Sequence, residues 1–286
     1  MEQEPDKNEH HRQRSEFIRA LVQRHLGEHA VNDRYRTRTP QTIVQYWHDL
    51  SQLPDDIAEC VASWRCWQAK GFTHRLFDET NARSFIASSL GARFVSAFDR
   101  CYHPAMQADY FRLCYLRVEG GFYVDADDVC VGDNLEWLFQ DGRLKLQPLC
   151  YDIESGRMVQ PSVFLSPNSY DASWIFYFNN NPLVASQSHP IIASALDQAT
   201  TRLESADEGS FPEIQMTTGP GNLSKSIFDL GMTEGQIDQG LVVLRDWESF
   251  AVSRWPLSHR NDARNWRLSN QERFNQMGGL SPDEPF

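Results

Sequence analysis

Three carboxylates lie within four residues at Asp125, Asp127 and Asp128, directly after the apolar run Phe122–Val124. Such a run is costly unless a positive charge lies beside it. It follows a predicted strand, and open α/β sheets bind their ligands at the carboxyl ends of strands. Asp125 and Asp127 share a face if the strand continues, and two hard oxygen ligands spaced in this way suit Mg²⁺ or Mn²⁺. The pattern predicts a divalent-metal site completed by a phosphate oxygen and water; the alternative is a solvated acidic turn.

An Asp-x-Asp pair has two other known uses. An EF-hand loop beginning at Asp125 is excluded, because Val129 and Cys130 stand where an acid or Asn and a glycine are needed. The segment also fits the nucleophile motif of haloacid-dehalogenase phosphatases, in which Asp125 would be phosphorylated. That chemistry needs a lysine and an acidic pair later in the chain. Two lysines follow the motif, Lys145 and Lys225, but the required acidic pair does not. The phosphatase stays open as an alternative.

A second charged pair, Asp109 and Arg112, lies on a helix predicted over Pro104–Glu119. The two residues are three apart and therefore share a helix face. Arg112 can donate to a phosphate in a forked geometry, and the apolar residues around the pair favour burial; the alternative is a surface ion pair of little energetic weight. Gly120 and Gly121 are predicted to end the helix, because glycine tolerates the left-handed conformation after a helix.

The elements around these residues alternate between strand and helix. Strands are predicted over Thr42–Trp47 and Phe72–Phe77, and helices begin at Pro54 and Asp78, which is typical of an α/β sheet with parallel strands. Ser15 is predicted to cap a further helix over residues 16–27. Beyond residue 140 the pattern predicts strand-like pieces over Leu144–Leu149, Ser162–Leu165 and Trp174–Phe178, followed by helices over Ile191–Leu203 and Leu223–Leu230.

Composition limits the class of protein. The chain has 286 residues, 41% hydrophobic residues and a net charge of −12. It is long enough for a real core, and its acidic balance argues against a nucleic-acid partner. Its six cysteines form no Cys-x-x-Cys pair, which favours free thiols in a reducing compartment. No apolar stretch is long enough to cross a membrane, and the charged first residues lack the apolar region of a secretory signal.

The segment MQADYFRLCYLRVEGGFYVDADDVCV resembles the core of the DXD-containing sugar transferases of glycosyltransferase family thirty-two, and is similar to the glucosyltransferase domains of large clostridial toxins. The matching positions are Ala108, Asp109, Arg112, Leu116, Gly120, Gly121, Tyr123, Asp125 and Asp127. Four more stretches resemble that family: TPQTIVQYWHD with Val44 in place of its His, SWRCWQAKGFTHRLFDE with Phe77 in place of its Trp, NNPLVASQSHPII and TTGPGNLSKSI. The looser match HRNDARNW extends the resemblance over residues 39–266.

The resemblance implies a GT-A type nucleotide-diphospho-sugar transferase fold, with a mixed, mostly parallel central sheet flanked by helices. We expect residues 1–38 to form a partly disordered helical extension and residues 39–286 to form one catalytic domain. Within that domain, residues 39–140 would bind the nucleotide-sugar and residues 141–286 would shape the acceptor side.

The resemblance also assigns roles to single residues. Asp127 would hold the metal directly, and Asp125 would contact the sugar, the ribose or the metal through water. Asp109 and Arg112 would hold the hexose hydroxyls. The other expected contacts are Trp47 stacked on the base, the Tyr123 hydroxyl on ribose or phosphate, His259 as a third metal ligand or diphosphate contact, and Trp266 over the donor.

The expected activity is the transfer of a hexose from UDP- or GDP-sugar to a glycan, small-molecule or protein acceptor, with Mn²⁺ or Mg²⁺ as cofactor. Family members retain the anomeric configuration, and a front-face reaction is favoured because nothing in the sequence identifies a carboxylate nucleophile. A non-catalytic nucleotide-sugar or carbohydrate-binding protein is a further alternative. We expect a cytoplasmic protein or one peripheral to the membrane, with export by a route without a cleaved signal still open.

Overall fold

The computed structural model describes residues 7–24, 31–207, 210–234, 237–254 and 256–261. The strands are Thr42–Tyr46 (β1), Thr73–Phe77 (β2), Gly121–Tyr123 (β3), Asp128–Cys130 (β4), Leu144–Asp152 (β5), Arg157–Met158 (β6), Trp174–Ala185 (β7), Leu241–Val243 (β8) and Ala251–Ser253 (β9). The α-helices are Lys7–Gln23 (α1), Asp55–Ser63 (α2), Glu79–Ser89 (α3), Ala92–Asp99 (α4), Pro104–Val118 (α5), Pro161–Phe164 (α6), Pro190–Ser205 (α7), Ile214–Thr217 (α8) and Pro220–Glu234 (α9).

A central sheet has the strand order β2-β1-β3-β7-β5-β6, with β8 also paired to β5. Strands β2, β1, β3, β5 and β8 run in one direction, whereas β7 and β6 run in the other. The predicted α/β class with a mixed, mostly parallel sheet is therefore confirmed. Strands β4 and β9 form a separate antiparallel pair.

The two faces of the sheet pack against different layers, because successive side chains of a strand point to opposite faces. Val44 and Tyr123 lie in the largest hydrophobic cluster, which also contains residues of helices α1, α3, α4, α5, α7 and α9. Ile43 and Phe122 lie in a second cluster with Trp64, Trp67 and Trp247. The first cluster sets α5 against the sheet face from which Tyr123 projects.

Helix α5 and strand β3 follow the sequence-based prediction closely. The helix runs over Pro104–Val118, and Gly120 after it has a φ of +69°. Gly121 has a φ of +116°, and a Cβ at this position would lie 2.8 Å from the carbonyl oxygen of Thr42. Glycine is therefore needed where the chain turns from α5 into β3 beside β1.

Helix α1 begins earlier than predicted, so Ser15 is an internal residue rather than its cap. The Ser15 Oγ accepts a hydrogen bond from the backbone N of Phe176 at 3.0 Å, which ties the helix to β7. Ile18 and Val22 are fully buried in the largest cluster. The last predicted residues of this helix, 25–27, lie outside the described residues, and the expected division between residues 38 and 39 stays a prediction.

One predicted strand is wrong. Residues Ser162–Leu165 were expected to be extended, but Pro161–Phe164 form the short helix α6 with proline in its first turn. Proline favours this position because its fixed φ is helical and the N–H that it lacks would have no helical partner there.

Within the described ranges, no helix is long and apolar enough to cross a membrane.

Candidate active site

A cleft of about 460 Å³ opens where the parallel strands β1 and β3 end. Its wall begins with Tyr46 and Trp47 after β1 and with the Asp125–Asp127 turn after β3. Six of the predicted site residues line this cleft: Trp47, Asp109, Arg112, Asp125, Asp127 and His259. The fold therefore brings together residues that lie far apart in the chain.

Arg112 is the centre of a buried network on the cleft floor. Its Nη2 lies 2.9 Å from Oδ1 of Asp109 and 2.9 Å from Oδ1 of Asp125. Its Nη1 donates to the carbonyl oxygen of Asn180 at 2.6 Å, and its Nε donates to the carbonyl oxygen of Ala108. Each nitrogen of the guanidinium already has a protein partner, so Arg112 holds the two carboxylates in position.

Asp109 is buried and forms part of this network. Its Oδ1 accepts a hydrogen bond from Nδ2 of Asn180 at 2.8 Å, and Thr218 Oγ1 approaches its Oδ2 at 3.5 Å. Burial raises the pKa of Asp109 to about 6, and the opposing effect of Arg112 is smaller. A buried carboxylate of this kind binds a hydroxyl donor strongly because little water competes for it.

Asp125 is fixed from two sides by its backbone. Its N–H donates to Oδ1 of Asn181 on β7 at 2.9 Å, and its carbonyl oxygen accepts from Nε2 of Gln45 on β1 at 3.1 Å. Burial raises the pKa of Asp125, while Arg112 opposes this shift. The first Asp of the motif is thus anchored to the two strands that flank β3, and it faces the cleft.

Asp127 has a different arginine partner. The Nη2 of Arg260 lies 2.5 Å from Oδ2 of Asp127, and the Nε2 of His259 lies 3.6 Å from the same oxygen. Both partners lie on a 3-10 helix over Ser258–Asn261, which follows β9. Because β9 pairs with β4 directly after the motif, the late part of the chain returns to the cleft.

Asp128, the third carboxylate, does not line the cleft but joins the elements around it. It accepts hydrogen bonds from Ser253 Oγ on β9 at 2.6 Å and from Asn181 Nδ2 on β7 at 2.8 Å. Burial raises the pKa of Asp128 to about 7, and the negative charges of Asp127 and Asp125 add to the shift. Its role is to hold the turn, as a buried acceptor of two hydrogen bonds.

Trp47 lies beside the metal-binding candidates. It is 8% exposed, and its ring makes an edge-to-face contact with His259, with centroids 5.3 Å apart and planes at 88°. Its Nε1 is buried without a hydrogen-bond partner in the part of the chain that the structure describes. This indole therefore offers the cleft an unused donor as well as a ring.

Two of the predicted donor contacts, those of Tyr123 and Trp266, remain predictions. Tyr123 is completely buried, does not line the cleft, and packs its ring beneath the Arg112 guanidinium at 4.5 Å. Its hydroxyl has no hydrogen-bond partner among the described residues, and its contact with ribose or phosphate stays a prediction. Trp266 lies outside the described residues.

Sequence reasoning missed four residues that contribute to the cleft. Asn180 and Asn181 come from the middle of β7, where a run of three asparagines inside an apolar strand was the available signal. Arg260 is adjacent to His259, but nothing local indicated a partner 133 positions away. Gln215 lines the cleft with a buried Oε1 that lacks a partner among the described residues.

The side chains present fit a divalent cation only in part. Within the described ranges, no three His, Cys, Asp or Glu residues lie close enough to hold a metal ion. Asp127 and His259 do present an oxygen and a nitrogen 3.6 Å apart, a donor set that suits Mn²⁺. Such a cation would take its remaining ligands from a bound diphosphate and from water.

Residues 44–143 match the family described as "Glycosyltransferase sugar-binding region containing DXD motif". This stretch contains β1, α5, β3 and the acidic turn, so the resemblance predicted from the sequence is confirmed over the region that forms the cleft floor. A curated protein named "Uncharacterized glycosyltransferase L373", from Acanthamoeba polyphaga mimivirus, is 30% identical over 93 residues. That alignment covers 32% of this chain and 36% of the relative, so the chain spans about a third of that relative's length.

Two solved structures show a low overall likeness. One is a PaToxG glycosyltransferase, with a TM-score of 0.44 and 13% identity, covering 83% of this chain and 84% of that one. The other is the catalytic domain of alpha-toxin from Clostridium novyi, with a TM-score of 0.43 and 9% identity, covering 95% and 86% respectively.

Proposed function

We propose that this chain, in which residues 44–143 match the sugar-binding region of DXD-containing glycosyltransferases, transfers a hexose from UDP- or GDP-sugar to a hydroxyl acceptor. The observation that carries the proposal is the convergence of Asp109, Arg112, Asp125 and Asp127 on one cleft within the matched region. The acceptor would be a glycan, a small molecule or a protein, and the anomeric configuration would be retained.

The donor hexose would lie against the Arg112 network. Asp109 and Asp125 present carboxylate oxygens that accept hydrogen bonds from sugar hydroxyls, and Arg112 holds both carboxylates 2.9 Å from its Nη2. Because the network is already formed, little reorganisation is needed when the sugar binds. This arrangement supports Asp109 and Asp125 as sugar-contacting residues and Arg112 as the residue that positions them.

The donor diphosphate would lie beside Asp127 and His259, which would hold Mn²⁺ or Mg²⁺. Such a cation, when bound, supplies positive charge to the leaving nucleoside diphosphate. Trp47 borders this part of the cleft and is the candidate for contact with the base. Its unpartnered Nε1 adds a hydrogen-bond donor for the base or the ribose.

The acceptor would enter along the opposite wall. Leu149 on β5, Met158 on β6 and Tyr177 on β7 line the cleft there. An apolar and aromatic wall suits the carbon-bearing face of a sugar ring. The uncharged surface favours a neutral acceptor, and a free hydroxyl is the group that must reach the anomeric carbon.

A front-face reaction accounts best for the cleft carboxylates. Asp109 and Asp125 are paired with Arg112, and Asp127 is paired with Arg260, so each already has a cationic partner. In the proposed reaction, the bond between the anomeric carbon and the diphosphate oxygen breaks and its electron pair stays with the diphosphate. The acceptor oxygen forms the new bond on the same face, and its proton goes to the departing diphosphate.

The phosphatase alternative finds no support in the positions of the lysines. Lys145 is buried and donates to Oδ1 of Asp141 at 2.8 Å, whereas Lys225 pairs with Asp229 at 2.6 Å. Neither lysine lines the cleft that contains Asp125. A phosphatase would need such a lysine beside the phosphorylated aspartate.

The decisive experiment measures nucleoside-diphosphate release from a panel of UDP- and GDP-sugars in Mn²⁺, Mg²⁺ or EDTA. We expect slow, metal-dependent hydrolysis of one donor. The rate should fall at least 100-fold in Asp127→Asn, because the cation that would stabilise the leaving diphosphate then loses a carboxylate ligand. The exposed Asp133→Asn is the matched control and should retain the wild-type rate.

Two outcomes would overturn the proposal. Metal-dependent donor binding without any release would favour the non-catalytic binding protein. Cleavage of p-nitrophenyl phosphate that disappears in Asp125→Asn would favour the phosphatase.

A further inference from the structure

The wall of the cleft contains a buried oxygen atom whose hydrogen-bonding capacity is unused. Gln215 lies on α8 and lines the cleft, and its Oε1 is buried without a hydrogen-bond partner among the described residues. A buried acceptor that lacks a donor lowers the stability of the folded state, and such groups are rare in native proteins. A ligand in the cleft that supplies the missing donor would account for this cost.

The backbone of Gln215 is anchored, so its side chain has a fixed origin at the cleft. The carboxylate of Glu213 accepts hydrogen bonds from the N of Gln215 at 2.8 Å and from the N of Met216 at 2.6 Å. Ile214 is buried in the largest hydrophobic cluster. The unused oxygen therefore belongs to a residue that is held between a helix cap and the core.

Gln215 lies near Asp109, the carboxylate that we propose for the donor hexose. A Cβ at Gly219 would lie 3.0 Å from the Cα of Gln215 and 3.3 Å from Oδ2 of Asp109, so both residues border the same glycine. Oδ1 of Asp109 has two close partners, whereas the contact of its Oδ2 with Thr218 Oγ1 is long, at 3.5 Å. Two acceptor oxygens, Oδ2 of Asp109 and Oε1 of Gln215, can therefore take up donors on this wall of the cleft.

Two neighbouring acceptors match the chemistry of a sugar. A hexose has hydroxyl groups on adjacent carbons, and each hydroxyl can donate one hydrogen bond. A diphosphate has acceptor oxygens and negative charge, so it is disfavoured beside the carboxylate of Asp109. The chemistry of this wall thus suits the hexose rather than the diphosphate of a nucleotide-sugar.

We propose that Gln215 is a specificity-determining residue that accepts a hydrogen bond from a hexose hydroxyl, next to the hydroxyl that Asp109 binds. The two residues select nucleotide-sugars with free hydroxyls on adjacent carbons of the hexose. A site built to bond a hydroxyl discriminates strongly against an analogue that lacks it, because the buried acceptor then stays unpaired. This inference rests on the proposed function, since it assumes a nucleotide-sugar in the cleft.

The test separates the contribution of the sugar from that of the nucleotide by calorimetry. The UDP- and GDP-sugars of the panel, and UDP and GDP alone, are titrated in Mn²⁺ into wild type, Gln215→Met and Gln215→Leu. Both changes replace the amide by an apolar side chain, and Met also keeps nearly the length of Gln. Gln187→Met is the matched control, because Gln187 is exposed and lies beyond the end of β7.

We expect the hexose to contribute less to binding in the two Gln215 variants. The nucleotide-sugar should bind them roughly tenfold more weakly than it binds wild type, whereas UDP or GDP alone should bind all proteins equally. One monodeoxy analogue of the donor, which lacks the hydroxyl in question, should bind wild type and Gln215→Met with equal affinity. Gln187→Met should match wild type throughout.

Thermal melting without ligand gives a readout that distinguishes this role from a structural one. Because Oε1 of Gln215 has no donor in the free protein, Gln215→Met should melt at the wild-type temperature or above it. A glutamine whose amide stabilised the fold would lower the melting temperature when it is replaced.

The outcomes separate the inference from the function it rests on. The role of Gln215 would be overturned by unchanged affinity for the nucleotide-sugar, by equal weakening of nucleotide-sugar and nucleotide, or by a lower melting temperature in both Gln215 variants. The proposed function would stand in each case if wild type binds a nucleotide-sugar and releases the nucleoside diphosphate. Wild type that binds no nucleotide-sugar would overturn the proposed function, and the inference with it.

Discussion

At the scale of single residues, the cleft combines negative charge with burial. Asp109 and Asp128 are both held with pKa values well above those of exposed carboxyls, because desolvation outweighs the hydrogen bonds that they accept. Arg112 prevents a larger shift at Asp109 by supplying a positive charge 2.9 Å away. Such a site is prepared to bind hydroxyl groups, but it lowers the stability of the folded protein at neutral pH.

The buried Asp109 should therefore make stability depend on pH. Its pKa is about 6 in the folded protein against 3.8 for the free side chain. Below about pH 4 the Asp109 carboxyl is protonated in both the folded and the unfolded state. Between about pH 4 and 6 it is ionised in the unfolded chain but still protonated in the folded protein. The free energy of unfolding therefore falls as pH rises through this range. We expect Asp109→Asn to reduce this fall by up to about 3 kcal/mol, measured by urea unfolding from pH 4 to 8.

The exposed Asp133→Asn is the control for that series and should reproduce the wild-type curve. The Asp109→Asn curve should be shallower but not flat, because Asp128 also has a raised pKa and stays in place. Parallel curves for wild type and Asp109→Asn would contradict a buried, partly protonated Asp109.

At the scale of elements, the acidic turn depends on strands that are distant in sequence. The β4–β9 pair sets Asp128 opposite Ser253, and the same carboxylate accepts from Asn181 on β7. The segment after β9 then carries His259 and Arg260 to Asp127. Asp128 is therefore the residue through which three elements hold the cleft together.

Asp128→Ala should weaken both the fold and the cleft. The change leaves the Ser253 hydroxyl and the Asn181 amide without their acceptor, which we expect to lower the free energy of unfolding by about 2 kcal/mol. Hydrogen exchange of the β9 amides should accelerate, and UDP or GDP should bind more weakly by calorimetry. Asp133→Ala, also near β4 but exposed, should change neither quantity. Unchanged exchange in β9 would show that the strand pairing alone holds this region.

At the scale of the whole molecule, helix α1 is built into the main core. Ile18 and Val22 are fully buried with residues of α5, α7 and the sheet, and Phe17 makes an edge-to-face contact with Phe228 of α9. Arg245, which follows β8, donates from Nη2 to the carbonyl oxygen of Val22 near the end of the helix. The helix therefore belongs to the same packed layer as α5, which carries Asp109 and Arg112 into the cleft.

Ile18→Ala should destabilise the whole molecule. Removing a fully buried Ile side chain typically lowers the free energy of unfolding by 2–5 kcal/mol, and we expect about 3 kcal/mol here in a single cooperative transition. Arg12→Ala, on the exposed side of the same helix, is the matched control and should change little. A separate early transition in Ile18→Ala, with the main transition unmoved, would indicate that α1 folds apart from the rest of the molecule.

Local sequence determined much of the architecture. The spacing of apolar residues predicted β1, α5, β3 and the later helices α7 and α9, because helix and strand periodicity follow from backbone geometry. Helical spacing also set Asp109 and Arg112 on one face, and Gly120 and Gly121 marked the turn before β3. The short helix α6 escaped prediction, because four residues are too few to reveal a period.

The partners of the charged residues were decided only by the tertiary structure. The family resemblance predicted one site containing Asp109, Arg112, Asp125 and Asp127, but the sequence did not show that Arg112 holds two carboxylates or that Asp128 is a structural acceptor. Arg260 meets Asp127 across 133 positions because β9 returns beside β4. Hydrogen bonds and ion pairs act over a few ångströms in space, so their partners are chosen by packing and strand pairing rather than by spacing along the chain.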